Sequence, residues 1–475
     1  MSNIKFGTDG WRAIIDQDFN DENVSLATQA IADYLKSENK TSLVIGYDVR
    51  KKADYFAKLA AEILVANGIK VYLVDAPCPT PATGWAIIDK KADGAIMFTA
   101  SHNPPKFLGL KYMTEEAMVA PSAVTDVFVA NLEKINIDSI KKIDFDSSVK
   151  DGQIEVFDPK PSYFTKIKSL VDIKVIHNSD VKVLINPMSG AGVGYLEEIL
   201  KGGSLEIGTI NNVHDANFGG IDPEPIVEKN VLDAIEKVKL GNLDICLSSD
   251  GDADRMGLID ENGKMITSLE AFLLLSYYFL EIKKKHGPIV RTLSNSIMVD
   301  HLARNYGIEV FETKVGFKYV GEKMKETNAI FGGEESGGSA VDDFILVRDA
   351  QIMNLFILDL MVTLDQPISK ILEMVEVKAG GAYVFRRSDV HFDYEAYEEI
   401  KNKKAPELVA NPPKEILGKE VTKTRTDDGL KMYFSDDSWL LMRFSGTEPV
   451  LRLYAEAKTL VEVDALISYA QDYFK

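Results

Sequence analysis

Three carboxylates crowd one short string of the chain, Leu247-Ser-Ser-Asp-Gly-Asp-Ala-Asp-Arg255. Asp250, Asp252 and Asp254 alternate with Gly251 and Ala253, so their charges gather on one side of an extended loop. Like charges held this close repel and call for a cation. An all-oxygen ligand set suits Mg²⁺ or Ca²⁺ rather than zinc. One competitor is a calcium loop of the EF-hand type: the aspartates fit its first, third and fifth positions, and Glu261 fits its last. That loop needs Gly at its sixth position for the turn, where this chain has Arg255, and its flanks must be helical, whereas Leu243 to Leu247 reads as a strand. A solvated acidic turn without metal is the plainer alternative.

Three further strings could do chemistry. In Phe98-Thr-Ala-Ser-His-Asn-Pro-Pro105, Pro104 and Pro105 forbid a helix and leave Ser101 beside His102 on a stiff exposed loop. No Gly-x-Ser-x-Gly elbow surrounds the serine, so it is not a hydrolase nucleophile of that kind. A turn or capping serine is the ordinary reading. In Phe331-Gly-Gly-Glu-Glu-Ser-Gly-Gly338, the glycines let a ligand approach the backbone. Along an extended segment Glu334 and Ser336 point the same way, offering an acceptor and a donor to adjacent hydroxyls; a Gly-rich turn competes. Arg443-Phe-Ser-Gly-Thr-Glu-Pro449, with Arg452 following, has the parts of a phosphate cradle. These are a guanidinium fork, the Ser445 and Thr447 hydroxyls, Gly446 and a run of backbone N–H groups. An ordinary strand turn competes here too.

Such loops need rigid elements behind them. A strand, a polar turn and an amphipathic helix recur three times. The first copy spans a strand at 43–50, a helix at 53–67, Gly68 and a strand at 71–74. The second has a strand at 181–186, a loop at 187–192 and a helix ending near residue 200. The third has a strand at 288–293, a helix at 298–306, Gly307 and a strand at 308–311. Short apolar runs alternating with helical patterns predict βα units on mixed sheets, hence three related α/β domains. The C-terminal part predicts an α+β domain. It has strands at 432–434 and 439–444 around a turn at Asp436 and Asp437, a strand at 450–456 and a helix at 460–473. Residues 402–414, with Pro406, Pro412 and Pro413, read as an irregular surface connection. The expected domains are 1–146, 147–260, 261–375 and 376–475, each with one of the four strings, around a central cleft.

The 475 residues carry a net charge of −19, which disfavours nucleic acid and anionic membrane surfaces. A phosphate ester could bind such a chain only through a few convergent cations. No apolar run reaches the ~18–20 residues of a membrane span. The first residues lack a basic-then-apolar export signal. Cys78 and Cys246 lie far apart in apolar runs, which fits small core residues in a reducing cytosol and a cytoplasmic protein.

The four strings, in the chain order Ser101, Asp250, Glu334 and Arg443 and preceded by Phe6-Gly-Thr-Asp-Gly-Trp-Arg12, resemble the α-D-phosphohexomutases. This family comprises phosphoglucomutases, phosphomannomutases and phosphoglucosamine mutases. The resemblance implies a heart-shaped enzyme of three α/β domains and a C-terminal α+β domain. It implies that Ser101 carries phosphate, and that Asp250, Asp252 and Asp254 hold one Mg²⁺ whose shell the Ser101 phosphate completes. By position, Lys111 matches an acid/base lysine, and Arg12, His102 and Arg255 match residues around the phosphoryl group. Glu334 and Ser336 match a pair on the sugar O3 and O4 hydroxyls. Arg443, Ser445, Gly446 and Thr447 match a distal phosphate site with Arg452 close by, and Arg348 resembles a further basic ligand residue. A lysine base at neutral pH needs a lowered pKa, and Arg12 and Arg255 are expected to supply it.

The activity implied is interconversion of glucose 1-phosphate and glucose 6-phosphate through a phosphoserine enzyme, with glucose 1,6-bisphosphate as intermediate and activator. A phosphomannomutase or dual-specificity mutase is the alternative, and a Mg²⁺-dependent sugar phosphatase is the alternative of another class. The glucose choice rests on three features. Val315-Gly-Phe-Lys318 resembles the Gly-aromatic-Lys of glucose-type members. Gly338 stands where mannose and glucosamine types typically carry His. Ala253 stands where glucosamine mutases often have Gly. Leu108-Gly109 departs from the family's usual Asn-Gly before the lysine. The implied partner is a small sugar phosphate, and the chain is expected to be a monomer or small homo-oligomer.

Overall fold

The computed structural model describes residues 4–7, 9–445 and 449–474. The first sheet has strands β1 (Trp11–Ile14), β2 (Ser42–Tyr47), β3 (Lys70–Val74), β4 (Gly94–Phe98), β5 (Phe107–Thr114) and β6 (Ile154–Phe157), in the order β1-β5-β4-β2-β3-β6. The second has β7 (Lys182–Asn186), β8 (Glu206–Thr209), β9 (Ile245–Ser249), β10 (Met256–Asp260) and β11 (Met265–Ile266), in the order β11-β10-β9-β7-β8. The third has β12 (Ile289–Thr292), β13 (Val310–Thr313), β14 (Phe331–Gly333) and β15 (Ser339–Val341), in the order β13-β12-β14-β15.

The predicted repetition is present and has a definite form. In each sheet a central strand runs parallel to the first strand of the βα unit and antiparallel to the strand that follows it. The pattern β5-β4-β2-β3 recurs as β10-β9-β7-β8 and β15-β14-β12-β13. The hairpins β4–β5, β9–β10 and β14–β15 are therefore equivalent, and each carries one motif in its connection. The central strands are buried along their length, β4 and β9 at every residue. That explains their apolar runs: helices cover both faces of a mostly parallel sheet.

The fourth sheet is antiparallel throughout: β16 (Val384–His391), β17 (Glu415–Ile416), β18 (Lys419–Arg425), β19 (Leu430–Phe434), β20 (Trp439–Phe444) and β21 (Val450–Ala457), ordered β16-β21-β20-β19-β18-β17. One face packs Leu440, Met442, Leu451 and Leu453 against Val463 and Leu466 of the helix Leu460–Tyr473. The opposite face sets Trp439, Leu441 and Tyr454 on Leu293 of the third domain. An ionic knot closes that junction. Glu312 accepts from Arg291 at 2.6 Å, Lys431 at 2.7 Å and Arg425 at 3.3 Å, and from the Tyr433 hydroxyl. Burial pushes the Lys431 ammonium down to about 8, against the pull of Glu312.

Three expected boundaries shift, because backbone pairing decides membership. Strand β6 lies past residue 146 yet pairs with β3. Strand β11 lies past residue 260 yet pairs with β10. The helix Ile368–Lys378 runs across residue 375. The expected irregular connection at 402–414 is also largely helical. A π-helical turn, Ile400–Lys404, leads into the helix Ala405–Ala410. Pro406 is the second residue of that helix and directly follows the π-helical turn. Among the described residues no helix is long and apolar enough to cross a membrane.

Candidate active site

Ser101 lies in the β4–β5 connection and is fully buried, not exposed as the sequence suggests. Its φ is 51°, the left-handed region that L residues seldom occupy. Its Oγ donates to Asp250 Oδ2 at 2.8 Å and lies 3.5 Å from His102 Nδ1. His102 is half-buried, and burial together with Arg255 and Arg12 holds its imidazole well below the usual range, hence neutral.

The β9–β10 turn delivers the three aspartates. Each offers one oxygen to a cluster spanning no more than 4.8 Å, and all three are buried. Asp250 Oδ1 accepts the backbone N–H of Asp254 at 3.0 Å and of Arg255 at 3.1 Å, which winds the turn around it. Gly251 is required by close approach: a Cβ there would come within 2.5 Å of the Ser101 carbonyl oxygen. The two loops interlock backbone to backbone. Burial, then Asp252 and Asp254, drives the Asp250 carboxyl well above its usual range. Burial also opposes charge on Asp252, but Lys111 and the Thr80 hydroxyl outweigh it and hold that group low.

A metal fits this geometry. Asp252 Oδ1 and Asp254 Oδ1 are buried without a hydrogen-bond partner, which is costly unless something else meets them. The donor set is all oxygen, and the mutual repulsion of the three groups is what a divalent cation relieves.

Lys111, on β5, reaches Asp252 Oδ2 at 2.8 Å, Asp254 Oδ2 at 3.1 Å and Asp9 Oδ2 at 3.2 Å. Burial disfavours its ammonium, yet Asp252, Asp254 and Asp9 together hold its pKa above the usual lysine value. The expected depression by Arg12 and Arg255 is thus reversed, since three carboxylates outweigh the guanidinium of Arg348 that shares two of them. Arg12 instead donates to Asn103 Oδ1 at 2.6 Å and to Asp9 at 3.2 Å. Arg255 Nε lies 3.7 Å from Asp254 Oδ1.

Arg348 joins three domains. It donates to Asp254 Oδ2 at 2.6 Å, Asp9 Oδ2 at 2.7 Å and Glu334 Oε2 at 2.8 Å, and is buried. Gly338 belongs to this clamp, because a Cβ there would lie 2.1 Å from Arg348 Cδ. Phe317 packs beneath it, 5.3 Å from ring centroid to guanidinium. Replacing Arg348 with Met strands buried carboxylates and is expected to lower the unfolding free energy by ~3–5 kcal/mol. Urea denaturation checks this; an unchanged midpoint would contradict the clamp.

One expectation fails locally. Glu334 and Ser336 do not lie on an extended segment. The Glu334 N–H donates to the Gly338 carbonyl at 2.9 Å, closing the β14–β15 turn, so the two side chains need not share a face. Glu334 is buried against Arg348, while Ser336 is half-buried. Lys318 Nζ is committed to Ser122 Oγ at 2.8 Å in the first domain.

In the fourth domain Arg443 and Arg452 stand directly opposite each other on β20 and β21. Arg443 donates to Asp428 Oδ1 at 2.8 Å, and Asp428 in turn accepts the Val315 N–H at 2.9 Å. Ser445 is buried, and its carbonyl accepts the Tyr397 hydroxyl. Gly446 and Thr447 lie outside the described residues.

Asp9 and Thr80 were not singled out by sequence. Asp9 sits inside the quoted string from Phe6 to Arg12, so a signal existed. Thr80 donates to Asp252 Oδ2 at 2.6 Å from 172 residues away, and nothing local marks it.

Family models for phosphoglucomutase/phosphomannomutase match the chain in four pieces. Alpha/beta/alpha domain I matches residues 3–137, domain II 161–263, domain III 270–377 and the C-terminal domain 397–468. A phosphoglucomutase/phosphomannomutase of Thermococcus kodakarensis is 30% identical over 466 residues, covering 96% of this chain and 94% of its own. A phosphoglucosamine/phosphogalactosamine mutase of Sulfurisphaera tokodaii is 29% identical over 458 residues, covering 95% of each chain. Among solved structures, that of a candidate phosphomannomutase of Thermus thermophilus superposes with a TM-score of 0.85 at 26% identity over 99% of both chains. Four matching domains in one order, together with a relative 30% identical along nearly the whole length, assign the family: the chain is an enzyme of the phosphoglucomutase/phosphomannomutase family, an isomerase of the α-D-phosphohexomutase kind.

Proposed function

We propose that the chain interconverts glucose 1-phosphate and glucose 6-phosphate, with Ser101 as the phosphate carrier and glucose 1,6-bisphosphate as the intermediate. The observation that carries this reading is Ser101 Oγ, buried at 2.8 Å from Asp250 Oδ2 within a carboxylate cluster that has two unpartnered oxygens. Asp250, Asp252 and Asp254 would hold one Mg²⁺, which when bound would draw negative charge from a phosphoryl group on Ser101. Lys111, kept protonated by its carboxylates, is the acid that protonates the sugar oxygen when a sugar phosphate gives its phosphoryl group to Ser101. In the other direction Lys111, as a free amine, takes the proton of the sugar hydroxyl that attacks phospho-Ser101, and Mg²⁺ held on Asp252 and Asp254 would favour that free amine by weakening their hold on the ammonium. Neutral His102 and the charged Arg12 and Arg255 line the phosphoryl group, and Glu334 and Ser336 receive the sugar hydroxyls. Arg443, Ser445, Gly446 and Thr447 receive the distal phosphate beside Arg452. Arg443 and Arg452, directly opposite each other on β20 and β21, would offer that phosphate two guanidiniums.

Glucose is preferred because position 338 has no room for the histidine of other types: Arg348 fills the space. Phe317 packs on Arg348 and Lys318 hydrogen-bonds Ser122, so they support the choice less than the sequence suggested. Mannose differs from glucose only at O2 and is the expected second substrate. We place the enzyme in the cytoplasm, as a monomer or small homo-oligomer acting on small sugar phosphates; buried, unpaired cysteines and the acidic charge support this.

Coupled assays with glucose, mannose and glucosamine 1-phosphates test the proposal. The expected order of kcat/KM is glucose, then mannose, then glucosamine. Inorganic phosphate released without any hexose 6-phosphate would favour the phosphatase reading and overturn this one.

A further inference from the structure

Behind the Ser101 loop lies a buried circuit that the catalytic groups do not include. Asp48 and Arg50 follow β2, and Thr99 follows β4; all three are buried. Arg50 places both terminal nitrogens on the loop backbone. Nη2 donates to the carbonyls of Ser101 at 2.6 Å and Asn103 at 2.7 Å, and Nη1 to those of Pro104 at 2.9 Å and Phe107 at 3.0 Å. Asp48 Oδ2 orients the guanidinium through Nε at 3.1 Å and accepts the Thr99 hydroxyl at 2.6 Å. Thr99 Oγ1 in turn accepts the N–H of Ser101 at 2.9 Å. The ring is closed: from the Ser101 N–H through Thr99, Asp48 and Arg50 back to the Ser101 carbonyl.

Both peptide groups flanking the Ser101 Cα are therefore held by one network, at the residue whose φ is 51°. A left-handed non-glycine persists only where its surroundings over-determine it, and such residues cluster at functional sites. Buried backbone carbonyls outside a sheet ladder must find donors elsewhere. Here a single guanidinium serves four carbonyls. The second domain covers the network, with the Phe218 ring 4.8 Å from the Arg50 guanidinium and Gly251 against the Ser101 carbonyl.

We propose that Asp48, Arg50 and Thr99 are positioning residues: they fix the backbone at Ser101 so that its Oγ points at the aspartate cluster. This rests on Ser101 being the phosphate carrier. Misplacing a reacting group by about 1 Å can cost ~10²-fold in rate without touching the chemistry.

Thr99→Val keeps the shape and removes the hydroxyl that links Ser101 to Asp48. Its kcat is expected to fall ~10-fold or more, with KM for glucose 1-phosphate within about twofold of wild type. The single-turnover phosphorylation of the enzyme by glucose 1,6-bisphosphate should slow by the same factor as kcat. Thr99→Ser should restore the rate. Arg50→Lys, whose ammonium has three donors in place of a planar fork, should behave like Thr99→Val if it folds. Ser101→Ala is measured alongside. If Thr99→Val turns over at the full rate, or loses only melting temperature, while Ser101→Ala is inactive, the positioning claim fails and the carrier stands. If Ser101→Ala turns over normally, the carrier reading fails and the positioning claim falls with it.

Discussion

Ser101→Ala is expected to lower turnover by at least ~10³-fold while the protein stays folded. The serine is the only nucleophilic oxygen in the described structure that touches the aspartate cluster from a second domain at donor distance, through Asp250 at 2.8 Å, and is not tied to a carboxylate already shared with Lys111. Thr80 also reaches the cluster, but it donates to the Asp252 oxygen that Lys111 shares and so serves to hold that carboxylate. Without the Ser101 oxygen no phosphoryl group can be parked on the chain while the sugar turns. The structural loss is small by comparison: one hydrogen bond, worth about 1 kcal/mol. A melting temperature near wild type with activity gone separates chemistry from folding. Turnover within tenfold of wild type would remove Ser101 from the reaction.

Asp250→Asn should change activity and stability in opposite directions. Asn keeps an oxygen for the N–H groups of Asp254 and Arg255, so the turn survives. It removes one of three repelling charges from a buried cluster. Because the folded state holds this carboxyl well above its unfolded value, ionising it penalises the native chain once pH exceeds that unfolded value. At neutral pH and without metal, the Asn variant should therefore unfold at a higher temperature than the parent. Its affinity for Mg²⁺ and its turnover should each fall by ~10²-fold or more, since a charged ligand is lost. Calorimetric titration with Mg²⁺, paired with melting in chelator, reads both. A variant less stable without metal would contradict the repulsion among the three carboxylates, and one that binds Mg²⁺ as before would refute the cluster as a metal site.

The parts legible in sequence are those whose geometry is local. Three aspartates alternating within one turn must converge wherever the turn sits, and the hairpin β9–β10 only fixes where. The βα repeats were legible because their apolar periods are short-range, and the helix at 460–473 matches its expected limits. What escaped was made by distant segments meeting. Ser101 sits on a loop that runs into two prolines and reads as exposed, yet Arg50 and the second domain bury it. The pKa of Lys111 was expected to move down because its arginine neighbours were visible in the motifs. Asp9 and the two aspartates that hold it up come from other strings. Glu334 and Ser336 were read at strand period, but their glycines made a turn instead. Arg348 resembled a further basic ligand residue, and the contacts that Asp9, Asp254 and Glu334 make with its guanidinium were not visible in its own string.

Intact mass spectrometry of the chain exposed to glucose 1,6-bisphosphate and Mg²⁺ tests the central claim most directly. One phosphoryl adduct is predicted on the wild-type chain, discharged when glucose 1-phosphate is added and absent from Ser101→Ala. An adduct that persists on Ser101→Ala, or a wild-type chain that turns over without ever carrying phosphate, would contradict it.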